Sequence, residues 1–390
     1  MTSAIVNARI FDGQQVLEHH VVLISGDQIS GVVPASQLPS ELEHQVDLEG
    51  ALLVPGFTDL QVNGGGGVLF NDAPTVEAIK AIGLAHRGFG TTGFLPTLIS
   101  DSFEVMASAI AAVNEAIQQG VPGVLGIHLE GPFLNPAKKG THDADKFSVL
   151  DERGLALLCS LRSGRTLVTL APELTSADYI RKMVKAGLIV CAGHSAASYE
   201  DTRVAIDAGL HGFTHLFNAM TPLGSRTPGV VGAALEDDRC WCGVIADGYH
   251  VHPASLTVAM RAKSAGQILL VTDAMPSVGT DQTSFELNGK TIRVEQGCCL
   301  GPEGVLAGSD LNMVAAVRNI IRFTGVDQWE ALRMASLYPA QALGLEHRLG
   351  RVRQGYAANL ISLNDHFEVT RSWIAGRMMT QGDISTERNS

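Results

Sequence analysis

The chain has 390 residues, 45% hydrophobic and 17% charged, with a formal net charge of -12. That balance argues against nucleic acid or an anionic membrane surface as a partner, and the length suits one barrel-sized domain plus a smaller one. The six cysteines form no Cys-x-x-Cys pair, the N-terminus shows no signal peptide, and no apolar run approaches the ~20 residues of a membrane helix; the expectation is a cytoplasmic protein with reduced thiols.

Residues 2 to about 50 read as short antiparallel strands, Ala4–Ile10, Val21–Ile24 and Ile29–Val33, with turns at Asp12-Gly13 and Gly26-Asp27. A similar texture returns at 359–363 and 367–374. Together they predict a small β-sandwich domain built by both termini, residues 1–53 and 350–390, around a central domain over 54–349. The middle alternates. Strand-like runs lie at Ala51–Val54 with Phe57–Val62, Thr92–Leu98, Val124–Glu130, Thr166–Leu170, Leu188–Ala192, Gly212–Leu216, Trp241–Ala246 and Ile268–Thr272. Helical patterns lie between most of them, at Thr75–Arg87, Asp101–Gln119, Asp151–Arg162, Ser176–Ala186, Ser198–Ala208 and Pro253–Ala265. Thr175-x-x-Asp178 and Ser198-x-x-Asp201 read as capping boxes. About eight βα units point to a (β/α)8 barrel, with a doubly wound sheet as the other architecture such a pattern allows. Ser284 to Glu295 reads as a hairpin turning at Asn288-Gly289, 301–310 as a loop, and 311–323 and 328–343 as helices.

Polar residues cluster where these strands end. Val124 to Leu129 reads as a buried strand that stops at Glu130, where Gly131-Pro132 forbids continuation. A carboxylate there costs several kcal/mol to bury unless a cation or donors meet it. His194 and His215 also end short apolar runs. One oxygen and two imidazoles form a set that zinc accepts with a position left open; iron, manganese or cobalt are also admissible. Asp273, after the apolar run 267–272, is placed to take a proton from an activated water and pass it to a leaving amine. His142, in a loop, is a candidate hydrogen-bond donor to a developing oxyanion. Arg226 and His250, on loops after the sixth and seventh strands, suit a phosphate, with Asn218-Ala219 and Ala307-Gly308 as further donors. His128, His211 and His252 read as satisfied histidines that are either structural or support the site from behind. Gly64–Gly67 lacks a phosphate-loop pattern and reads as a close backbone passage.

These motifs, in their order, resemble the amidohydrolase superfamily and, within it, the N-acetylglucosamine-6-phosphate deacetylase family. The resemblance spans nearly the whole chain: Pro55-Gly-Phe-Thr-Asp-Leu-Gln-Val-Asn-Gly, His128-Leu-Glu-Gly-Pro-Phe, Lys139-Gly-Thr-His, Ala192-Gly-His-Ser, Thr214-His-Leu-Phe-Asn-Ala-Met, Ala246-Asp-Gly-Tyr-His-Val, Val271-Thr-Asp-Ala and Leu337-Tyr-Pro-Ala. It implies metal-dependent release of acetate from an amino-sugar phosphate. Glu130, His194 and His215 would hold the metal, Asp273 would be the general acid and base, and His142 would polarise the acetyl carbonyl. Thr141, His142, Asn218, Ala219, Arg226, His250, Leu306, Ala307 and Gly308 would hold the substrate, in a homodimer whose phosphate pocket is completed across the interface. One departure stands out. Binuclear members of the superfamily carry His-x-His after the first barrel strand, and here Gln61-Val62-Asn63 occupies that place. The expectation is one divalent ion per subunit, zinc first, with a second ion weak or absent. A cyclic-amide hydrolase of the dihydroorotase or hydantoinase type would be expected to carry that His pair and a bridging lysine. The missing pair also motivates a non-catalytic metal-binding relative as an alternative, against which Asp273 and His142 weigh.

Overall fold

The computed structural model describes residues 2–388. Eight parallel strands form its centre: β1 (Phe57–Val62), β2 (Thr91–Ile99), β3 (Gly126–Glu130), β4 (Arg165–Leu170), β5 (Ile189–Ala192), β6 (Gly212–Phe213), β7 (Trp241–Ile245) and β8 (Ile268–Val271). Each pairs with the next in sequence order. The sheet closes on itself just beyond β8, where the Asp273 N–H donates to the Gln61 carbonyl at 2.9 Å and the Asn63 N–H to Ala274 at 3.0 Å. The Thr272 hydroxyl donates to the buried Asp59 carboxylate at 2.6 Å, locking the same seam from the side-chain level. This is the (β/α)8 barrel. Its strands are buried nearly throughout, as parallel strands covered by helices must be. Phe57, Phe94 and Phe213 are among the fully buried side chains, each contributing on the order of 2–3 kcal/mol by burial.

The helices between strands are α1 (Val76–Arg87), α2 (Phe103–Gln118), α3 (Glu152–Leu158), α4 (Ala177–Lys185), α5 (Tyr199–Asp207), α6 (Gly229–Glu236) and α7 (Pro253–Ala262). The capping box at Ser198 forms with Asp201 as expected. The one expected at Thr175 does not. The Thr175 N–H closes a turn onto Pro172, so the helix starts one residue later, with Ser176 accepting from the Tyr179 N–H. Asp178 pairs instead with Arg181 at 2.6 Å. Helix α3 stops at Leu158, short of the expected Arg162. Helix α6 gave no sequence signal: it holds two glycines and its N-cap residue, Pro228, has no capping side chain. The pattern over 328–343 splits into Gln328–Ala335 and Leu337–Ala342, because Ser336 leaves helical geometry and Pro339 has no N–H for a continuing ladder.

Both termini build the β-sandwich. In one sheet Thr2–Val6 lies between His20–Ser25 and His44–Asp47, with Gln28–Pro34 outside. In the other, Leu52–Pro55 joins Arg9–Phe11 on one side and Leu360–Leu363 on the other. Ile5, Val22, Ile24, Leu53, Leu360 and Trp373 fill the space between the sheets. Gly56 separates this sheet from β1: a Cβ there would lie 2.1 Å from the Thr92 hydroxyl. Arg87, at the end of α1, ties barrel to sandwich through Ser372 at 3.0 Å and the Arg377 carbonyl at 2.7 Å.

The 284–295 hairpin forms, turning through Asn288 and Gly289 with positive φ, and grows into a four-stranded sheet with Cys298–Leu300 and Leu306–Ser309. The last of these strands lies within the segment expected to be a loop. The sheet packs over the barrel mouth: Leu287, Ile292, Cys299 and Ala307 meet Leu69, Ile99 and Met275. Asn288 at its tip donates to the Thr141 carbonyl at 3.2 Å.

Candidate active site

Glu130 is the last residue of β3, and His194 and His215 each stand two residues beyond β5 and β6. The backbone turns sharply there. His194, His215 and Asp273 have φ of 48°, 33° and 53°, a region non-glycine residues seldom adopt and one that recurs at functional sites. Glu130 Oε1 lies 3.1 Å from His194 Nε2 and 2.9 Å from His215 Nε2, and the two Nε2 atoms are 3.1 Å apart. His194 Nδ1 meets the Lys138 carbonyl at 2.8 Å, so Nδ1 carries the hydrogen and Nε2 presents a lone pair. A lone pair aimed at a carboxylate and a second imidazole calls for a cation between them. Edges near 3 Å match those of a tetrahedral zinc site, about 3.3 Å for ordinary bond lengths. The residues present fit a divalent ion.

Burial works to raise Glu130, but the imidazoles of His194 and His215 set against it outweigh that and hold its carboxyl well below the usual range. Burial likewise lowers His215, and the Glu130 bond and charge outweigh that to raise it. Asp273 is pushed up to about 6, by burial and then by the charge of Glu130. Gln61 Nε2 bridges the two carboxylates, at 3.1 Å from Glu130 Oε2 and 3.0 Å from Asp273 Oδ1, and Asn63 donates to the same Asp273 oxygen at 2.6 Å. The amides that stand in place of the His-x-His pair therefore spend their N–H groups on these carboxylates.

His142 Nδ1 accepts from the Ser100 N–H at 3.3 Å and meets the Ser100 hydroxyl at 2.8 Å. A backbone N–H can only donate, so the ring's hydrogen is on Nε2, which faces Glu130 Oε1 at 3.9 Å. Burial, then His194, depresses the ring to about 3 and keeps it neutral.

A cavity of about 370 Å³ opens over these groups, and Thr141, His142, Asn218, Ala219, His250, Leu306 and Gly308 all line it. Ala307 is buried in the overlying sheet. Arg226 is exposed and does not line the pocket of its own chain. A larger cavity, about 700 Å³ against α1, holds none of these groups. Sequence reasoning missed two supports. Ser100 ends the apolar run of β2, so the strand-end rule could have found it. Asp247 was visible as a strand-end carboxylate, but its bond to His250 Nδ1, at 2.5 Å, was not. His128, His211 and His252 are structural: His128 bonds Leu60 and Thr169 inside the barrel, His211 accepts from Val190, and His252 caps α7. Gly64 is a close passage, where a Cβ would lie 2.4 Å from the Val68 carbonyl.

The amidohydrolase family model matches residues 52–379. The chain belongs to the amidohydrolase family. A second model, the NagA composite domain, matches residues 3–53 of this amidohydrolase. It is 42% identical over 384 residues to an N-acetylgalactosamine-6-phosphate deacetylase of Shewanella sp. (strain ANA-3), covering 96% of each chain. It is 35% identical over 380 residues to an N-acetylglucosamine-6-phosphate deacetylase of Haemophilus influenzae, covering 97% of this chain and 99% of that one. The crystal structure of N-acetylglucosamine-6-phosphate deacetylase from Pasteurella multocida superposes with a TM-score of 0.94 at 36% identity, covering 97% of this chain and all of the other.

Proposed function

We propose that this amidohydrolase cleaves the N-acetyl amide of N-acetylglucosamine-6-phosphate, giving glucosamine-6-phosphate and acetate. The observation that carries the reading is the convergence of Glu130, His194 and His215 beside Asp273 and an Nε2-protonated His142, in a family whose full-length relatives are amino-sugar phosphate deacetylases. A divalent ion on the triad, zinc first by its donor set, would polarise the acetyl carbonyl and acidify the attacking water. Asp273 takes the proton from that water as its oxygen bonds the carbonyl carbon, then returns it to the amide nitrogen as the C–N bond breaks. His142 donates from Nε2 to the carbonyl oxygen as negative charge grows there. Thr141, Asn218, Ala219, His250, Leu306 and Gly308, which line the cavity, hold the sugar phosphate, and Ala307, buried behind them, supports that wall.

In the same reading the chain works as a cytoplasmic homodimer. Residues 54–349 form the catalytic domain, and 1–53 with 350–390 support it. Arg226, exposed and outside the lining of its own pocket, serves the partner's phosphate site. Arg226→Ala then raises KM for the phosphorylated sugar by about 30-fold or more, the worth of a charge-assisted bidentate contact, while activity on the unphosphorylated sugar barely changes. Equal losses on both substrates would make Arg226 structural. Metal analysis after dialysis is expected to give one tightly held ion per chain, because Gln61 and Asn63 offer amides where imidazoles would be needed for a second. Two tightly held ions would overturn that argument.

The galactosamine epimer is the second reading, favoured by the 42%-identical Shewanella relative. Comparing kcat/KM for acetate release from the two 6-phosphates, with N-acetylglucosamine as the unphosphorylated control, tests both. Release from neither would remove the deacetylase reading.

A further inference from the structure

Glu173 lies in the short turn Pro172–Leu174 after β4, beside the metal-ligand cluster but outside it. Three neutral donors meet its carboxylate. Oε1 accepts from Asn135 Nδ2 at 2.9 Å and from the Ala196 N–H at 2.6 Å, and Oε2 accepts from the Ser195 hydroxyl at 2.7 Å. Ser195 and Ala196 directly follow His194, whereas Asn135 belongs to the loop after β3, so the carboxylate clamps two neighbouring loops across β4. Asn135 shapes its own loop: its carbonyl accepts from the Lys138 N–H at 2.8 Å and its Oδ1 from the Ala137 N–H at 2.9 Å. The Lys138 carbonyl so placed receives His194 Nδ1 at 2.8 Å, and the Asn135 N–H returns to the His194 carbonyl at 3.0 Å. The bonds close a ring through Glu173, Asn135, Lys138, His194 and Ser195. His194 depends on such a ring, since its backbone sits at φ 48° and only the Lys138 carbonyl sets its tautomer.

We propose that Glu173 is a positioning residue that holds the His194 ring in the orientation needed to ligate the divalent ion. The proposal rests on the metal-site reading above. An acceptor is required because the Ala196 N–H can only donate; a side chain without acceptors would leave that N–H, the Ser195 hydroxyl hydrogen and the Asn135 amide without the partner that joins the two loops, although Ser195 Oγ still accepts from the Ala197 N–H at 3.0 Å. Glutamine satisfies the same contacts: its oxygen can serve Asn135 and Ala196, and its amide can donate to the Ser195 hydroxyl.

The test is zinc affinity of the metal-stripped full chain, measured by competition with a chromophoric chelator, with the Co²⁺ absorption spectrum as a second readout. Glu173→Ala is expected to raise the Kd for zinc by about 10–100-fold and to change the Co²⁺ spectrum, the usual effect of losing support behind a ligating histidine, while Glu173→Gln stays within about threefold of wild type. A folded Glu173→Ala with wild-type Kd and spectrum would overturn the proposal, since a purely structural residue would lower Tm and leave both unchanged. If Glu173→Ala does not fold, Asn135→Ala breaks the same ring at another point and is expected to weaken zinc about tenfold. An unchanged Kd there would equally overturn the proposal. Wild type that binds no zinc would remove the metal-site reading itself, a different outcome from variants that match a zinc-binding wild type.

Discussion

Asp273→Asn is expected to lower kcat by about 10²–10⁴-fold while leaving metal content and substrate binding close to wild type. An amide is a poor electrophile and its amine a poor leaving group, so one group must take a proton early and deliver it late. Asp273 stands against Glu130 through the shared Gln61 amide, and its environment pushes it up to about 6. To act as a base it must be ionised, and an ion on Glu130 would draw its pKa down. Activity therefore rises with pH through a limb at or below about 6, and that limb is lost in Asp273→Asn. The fold tolerates the change, because an amide oxygen at the Oδ1 position still accepts from Gln61 and Asn63. Near-wild-type acetate release from folded, metal-loaded Asp273→Asn would remove Asp273 from the mechanism.

The second large effect belongs to His142. His142→Ala is expected to cost about 10²–10³-fold in kcat, the usual loss on removing one oxyanion donor, with metal content unchanged. The ring is 3.9 Å from Glu130 and is kept neutral by burial and by His194, so it supplies a hydrogen bond rather than a charge. Its removal therefore leaves the acid limb of the pH profile where it was. A variant that lost its metal instead, or whose limb moved, would place His142 in a different role.

The barrel and the triad were legible because both follow from local rules. Apolar runs that stop at a single polar residue mark strand ends, and a barrel brings all those ends to one face, so Glu130, His194, His215 and Asp273 could be grouped unseen. Helix α6 was hidden because Gly229 and Gly232 erase helix propensity, and packing and the Thr221 hydroxyl hold its first turn instead. The Thr175 cap misled because a turn closed by Pro172 competes for the same N–H group. Partnerships across loops had no sequence signal: Ser100 with His142 and Glu173 with Asn135 are more than a local pattern can connect, and Asp247 with His250, three residues apart in one loop, depends on the turn between them. The hairpin at 284–295 was read as a hairpin from Asn288-Gly289, but its place over the barrel mouth depends on the apolar contacts of Leu287 and Ile292.

The most direct test of the central claim is acetate release from N-acetylglucosamine-6-phosphate by the protein with its metal, after chelation, and after one equivalent of zinc is restored. Turnover is expected to be lost on chelation and to return with about one ion per chain. Binding of the sugar phosphate with no acetate released by the zinc-loaded protein would contradict that claim.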